Sequence, residues 1–161
     1  MKDLQLKLCI LAGCLCLIFP TASRAAERYS VSLTRKDSNL YKVDGQNIWV
    51  QTRYCYTYAY SEDAALSPYE VVFLESGDKC DVKQVLGDAG PSSGTYEVSV
   101  TRESDNLYST LEGIFIKTSM CYHYGYGDEA ILKLTGLGGT LIFVNANDRC
   151  PVEQVLTKLR L

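Results

Sequence analysis

At 161 residues the chain can form one domain with a proper core or two small ones, and its formal net charge of −3 comes without any cluster of Lys and Arg. Nucleic acid is therefore a poor partner, because phosphate binding rests on a basic patch. With one histidine and no close Cys-x-x-Cys pair, the cysteines argue for disulfides; neither a metal nor a cofactor is expected.

The N-terminus reads as a secretory signal. Lys2 and Lys7 form a basic start, residues 8–20 are a short apolar run, and Ala22, Ser23 and Ala25 offer the small residues a signal peptidase needs. The run is too short and wrongly flanked for a membrane span. Cleavage after Ala25 assigns residues 1–25 to the signal and sends the protein to the periplasm or outside the cell. A rival lipoprotein box, Leu11-Ala12-Gly13-Cys14, would leave an apolar tail on the product and is the weaker reading.

Beyond the signal the chain repeats itself. Tyr29, Val31, Leu33 and Arg35 recur as Tyr96, Val98, Val100 and Arg102, and Asn39-Leu40-Tyr41 recurs as Asn106-Leu107-Tyr108. Near the end of each copy, Phe73, Asp78, Cys80, Gln84 and Leu86 recur as Phe143, Asp148, Cys150, Gln154 and Leu156. About 23 of roughly 57 paired positions are identical, which chance does not produce at a fixed period. The copies span residues 26–86 and 95–161, and residues 87–94 join them as a Gly/Ser/Pro linker.

Each copy predicts a series of short antiparallel strands. Residues 29–35 alternate in the two-residue period of a half-buried strand. Residues 40–43 form a second strand, closed by the hairpin signal Asp44-Gly45 onto a third that starts at Ile48. That third strand reads on through Cys55 to Tyr60, and its counterpart runs from Ile114 through Cys121 to Tyr126. Such a length requires a bend or bulge near the cysteine. Residues 71–74 and 141–144 are a further strand in each copy. The last segments, after Cys80 and Cys150, are ambiguous: Val152, Val155, Leu156 and Leu159 have helical spacing, and Pro151 suits a first helical turn. The expected fold is mainly β, two tandem antiparallel repeats as small sandwiches or rolled sheets, with allowance for a short C-terminal helix.

Four cysteines, Cys55, Cys80, Cys121 and Cys150, remain after the signal and permit three connectivities. A unit that was stable before duplication needs its staple inside itself, which favours Cys55–Cys80 and Cys121–Cys150. Loops of roughly 25 to 30 residues closed in this way add about 3 to 4 kcal/mol in the chain-entropy model.

Among side chains that could carry function, the tyrosines stand out. With unbroken alternation, Tyr54, Tyr56, Tyr58 and Tyr60 continue the face of Ile48 and Val50. This favours a core role over an aromatic binding platform, with Tyr60 and Tyr126 exposed at the outer ends. Candidate binding residues are Tyr58, Tyr60, Tyr124 and Tyr126, with Arg35 and Arg102 as anchors for an anionic group. The acidic pairs Glu62-Asp63 and Asp128-Glu129 lack the further oxygen ligands of a calcium loop and read as solvated turns. His123 is matched by Thr57, and no motif places a carboxylate or nucleophile beside it, so no catalytic residue is assigned.

The expectation is an exported, non-enzymatic binding protein, an inhibitor or adaptor whose partner is another exported protein or a glycan. An envelope hydrolase using two carboxylates and a surface-coat component are the alternatives.

Overall fold

The computed structural model describes residues 27–136 and 138–161; the signal-peptide and lipoprotein readings lie outside these residues. The described residues are all β, with no helix. In the first half the strands are β1 (Tyr29–Asp37), β2 (Leu40–Val43), β3 (Ile48–Arg53), β4 (Glu62–Leu66), β5 (Glu70–Phe73) and β6 (Lys79–Asp88). In the second they are β7 (Gly94–Ser104), β8 (Leu107–Thr110), β9 (Ile114–Thr118), β10 (Tyr126–Thr135), β11 (Gly138–Phe143) and β12 (Arg149–Leu159).

Every pairing is antiparallel, and each half closes on itself. β1 pairs with β2 and β4, β2 with β3, β3 with β6, β6 with β5, and β5 with β4. The second half pairs in the same order, β7–β8–β9–β12–β11–β10 and back to β7. Closure removes the exposed sheet edges that short strands would otherwise present. A barrel of so few strands is filled by its own side chains. Leu33, Tyr41, Val50, Val71 and Phe73 fill the first interior, and Val100, Tyr108, Ile116, Leu141 and Phe143 fill the second.

The barrels join through a short ladder in which Asp88 to Val85 of β6 face Leu156 to Leu159 of β12. Outward-facing Leu40, Trp49 and Leu86 meet Leu107, Phe115 and Leu156 in a third buried cluster. Trp49 Nε1 donates to Gln154 Oε1 across this junction at 2.9 Å, and Asn106 Nδ2 donates to Asp37 Oδ2 at 3.0 Å. Lys83 and Glu103 form an ion pair there. Burial opposes ionisation of Glu103, but the hydrogen bonds from Lys83 and Ser109 outweigh it and hold the carboxyl below its usual range.

The allowance for a C-terminal helix is corrected: residues 149–159 are strand β12. Their helix-like spacing has another cause. The ladder between β9 and β12 slips between Val152 and Gln154, so Glu153 is an extra, bulged residue. The bulge reverses the alternation, so that both Val152 and Val155 face the barrel interior, while Leu156 faces the junction. The same slip occurs in β6, between Val82 and Gln84.

Candidate functional site: two tyrosine caps

The expected long third strand ends at Arg53. From there the chain runs from β3 to β4, which are not neighbours in the barrel, so residues 54–61 cross one barrel end as a cap. The turn is made at Tyr54, which adopts φ 50°, a left-handed conformation rare for a residue with a Cβ. Met120 does the same in the second half with φ 48°. One left-handed residue reverses which side chains face in, and this overturns the expectation that the tyrosines are core. Cys55, Thr57 and Ala59 are buried, while Tyr54, Tyr56, Tyr58 and Tyr60 are 80–87% exposed. In the second cap Met120, Tyr122, Tyr124 and Tyr126 are 75–90% exposed.

Up to Tyr60 in the first half and Gly125 in the second, each cap runs without a strand partner, held by ties from below. Asn39 Oδ1 accepts from Cys55 N at 2.8 Å, Tyr41 OH donates to Thr57 O at 2.8 Å, and Arg35 N donates to Ala59 O at 2.9 Å. The second cap repeats these ties: Cys121 N to Asn106 Oδ1 at 2.8 Å, Tyr108 OH to His123 O at 2.7 Å, and Arg102 N to Gly125 O at 2.9 Å. Burial raises the pKa of both anchoring phenols, Tyr41 and Tyr108, which keeps them protonated as donors. The disulfides Cys55–Cys80 and Cys121–Cys150 form as expected, with Cα–Cα separations of 5.4 and 5.1 Å, and pin each cap to the start of β6 or β12. Two disulfides indicate an oxidising, non-cytoplasmic location.

All four candidate tyrosines therefore stand on the caps with their rings in solvent. Arg102, Tyr124 and Tyr126 come together around a shallow pocket of about 430 Å³ that also touches Glu103, Ser104 and Asp105. The Arg102 guanidinium lies 4.2 Å from the centre of the Tyr124 ring, and its Nη2 donates to Asp105 Oδ1 at 2.7 Å. Both arginines donate from Nε to a backbone carbonyl two residues on, Arg35 to Asp37 O and Arg102 to Ser104 O, each at 3.4 Å. Arg35, Tyr58 and Tyr60 of the first half do not line this pocket.

His123 has partners that its sequence neighbourhood did not reveal. Nδ1 lies 2.8 Å from Asp148 Oδ2, Nε2 lies 2.8 Å from Asp128 Oδ2, and the ring stacks on Phe143 with centroids 3.7 Å apart. Burial favours the neutral imidazole, but two carboxylates outweigh it and raise the pKa above the ordinary histidine value. Only the imidazolium can donate at both nitrogens, so the ring braces the second cap from both sides when it is protonated. The hydrogen bond from His123 in turn lowers the pKa of Asp128. In the first cap Thr57 occupies the place of His123, and its Oγ1 donates to Asp78 Oδ2 at 2.8 Å. The recurrence of Asp78 as Asp148, opposite a donor in both copies, was the signal available in the sequence.

The acidic pairs also need correction: they lie on β4 and β10, not in solvated turns. Glu62 is buried, and its Oε1 accepts from Glu75 N, Ser76 N and Ser76 Oγ at 3.0–3.2 Å, closing the turn after β5. Among the described residues, no three His, Cys, Asp or Glu side chains converge as a metal site requires. Compared with protein-family models, curated proteins and solved structures, the chain finds no match in any of the three.

Proposed function

We propose that the protein is an exported, non-enzymatic binding module whose tyrosine caps engage another exported protein or a glycan. The observation that carries this reading is the exposure of eight large side chains, in two rows of four, on backbone tied down by disulfides and buried hydrogen bonds. Burying such rings releases apolar surface from water, and a backbone already fixed loses little further freedom on binding. Tyrosine suits this role because one ring supplies contact area while its hydroxyl serves a polar rim. The two disulfides and the basic–apolar–small pattern of residues 1–25 support export.

A surface-coat role draws on the same exposed rows, with a second copy as the partner. The hydrolase alternative draws less support, since Asp128 and Asp148, a carboxylate pair brought together in space, are both engaged by His123.

The test is capture from envelope extract and culture fluid with the oxidised protein, using Tyr60→Ala with Tyr126→Ala as control, alongside sedimentation of the protein alone. A single partner lost in the control supports the binding module. Concentration-dependent self-association without a second protein would replace it with the coat reading.

A further inference from the structure

Opposite its cap, each barrel has a second mouth, and the two mouths are closed unequally. The closing residues are exchanged between the halves. Leu159, from the tail of β12, packs against the buried cluster of the first barrel, as Tyr29, Val31 and Ile48 do, and rests on Gly87, where even an added Cβ would meet its Cδ1 at 2.8 Å. The corresponding residue from the first half, four places after the matched valine, is Ala89. It reaches the mouth of the second barrel, where its N donates to Val155 O at 3.0 Å. Alanine is too short to fill the place that leucine fills in the other mouth.

What remains is a pocket of about 320 Å³. Ala89, Tyr96, Val98, Ile114, Leu132 and Val155 supply its apolar lining, and Tyr96 is fastened to the linker by a bond from its OH to Ser92 O at 2.8 Å. The charged residues that line it are Glu97 and Glu112, with no cation among the lining residues. Hydrogen bonds from Thr110 and from its own backbone amide hold the Glu112 carboxyl below the usual carboxylate range, so it is ionised at neutral pH. The volume falls at the lower end of small-molecule sites, and an apolar floor with a few polar groups at its edge is their usual character.

We propose that the open mouth of the second barrel is a binding site for a small organic cation with an apolar body, such as an aromatic amine. The ring lies on Val98, Ile114, Leu132 and Val155, and the ammonium faces the carboxylate of Glu112. This site is separate from the caps and does not depend on their function.

The experiment titrates the oxidised, ¹⁵N-labelled protein with phenethylamine and, in parallel, with phenylacetate. Phenethylamine is expected to shift the amides of Ala89, Val98 and Ile114, and phenylacetate to bind at least about ten-fold more weakly, as like charge at the rim requires. Ala89→Leu, which fills the mouth as Leu159 fills the other, should abolish the shifts. Glu112→Gln should weaken the amine several-fold while leaving the spectrum of the free protein largely unchanged, and it serves if Ala89→Leu does not fold. Tyr124→Ala, on the cap, should bind the amine as the wild type does. Equal binding of amine and acid, undiminished binding in both Ala89→Leu and Glu112→Gln, or no shift at millimolar phenethylamine overturns the proposal.

Discussion

The two caps share a backbone design and differ in the chemistry beneath it. Both are hung from a left-handed Asn (Asn39 or Asn106), a buried tyrosine hydroxyl and a disulfide. Under the first cap, a neutral hydroxyl, Thr57, reaches one carboxylate, Asp78. Under the second, His123 spans two carboxylates and stacks on Phe143. The backbone ties hold at any pH that leaves the tyrosines protonated, whereas the His123 brace is at full strength only while the ring is charged. Two structurally matched caps are thus expected to differ in how their rigidity responds to protonation. Above the backbone, only the second shows an arginine stacked on a cap tyrosine.

Removing the staples should have the largest effect and should separate the caps. Loss of Cys55–Cys80 through paired Ser substitutions is expected to cost about 3 to 4 kcal/mol, and loss of Cys121–Cys150 a similar amount. After loss of its staple, the second cap retains the brace and should resist limited proteolysis near pH 5 better than the first. Equal cleavage of the two reduced caps would show that the brace contributes nothing to cap rigidity.

The pH response of the brace comes next. His123 has a raised folded pKa, so its stabilisation is full below the ordinary histidine value of about 6.5 and is lost as pH rises through the folded value. Asp128, with a lowered pKa, acts in the opposite sense, and its part is lost as the solution becomes strongly acidic. The difference in Tm between the wild type and His123→Thr should therefore be largest in mildly acidic solution and shrink toward alkaline pH. A difference that does not change with pH would leave the ring with a packing role alone. Exposed carboxylates and water screening keep the effect modest.

The smallest expected effect concerns the outward rings. Tyr56→Ala and Tyr122→Ala should each change stability by no more than about 0.5 kcal/mol, because neither ring is buried. A core ring would cost about 3 kcal/mol or more. Chemical denaturation of the two variants distinguishes these cases, and a large loss in either would return the tyrosines to the core.

Much of the frame was legible from local pattern. Alternation in residues 29–35 and 96–102, the Asp44-Gly45 turn and the recurrence of Phe73, Cys80 and Leu86 as Phe143, Cys150 and Leu156 all mark strands and their order. The cap was misread because its reversal depends on the sign of φ at Tyr54 and Met120, positions where no glycine or asparagine advertises a left-handed residue. β12 was misread because a bulge at Glu153 turns a two-residue period into an apparent helical one. The role of His123 stayed hidden because Asp148 lies 25 residues away along the chain and is brought to the ring only by the folding of the chain.

The one-dimensional pattern of the chain was enough for a mainly-β fold, through its two-residue periods, and it favoured pairing Cys55 with Cys80 and Cys121 with Cys150 without excluding the other connectivities. The closing of each sheet into a barrel, the outward turn of the tyrosines, the His123 brace and the unequal filling of the two mouths were decided only in tertiary structure. Each depends on which distant side chains share a buried space. No local period records that.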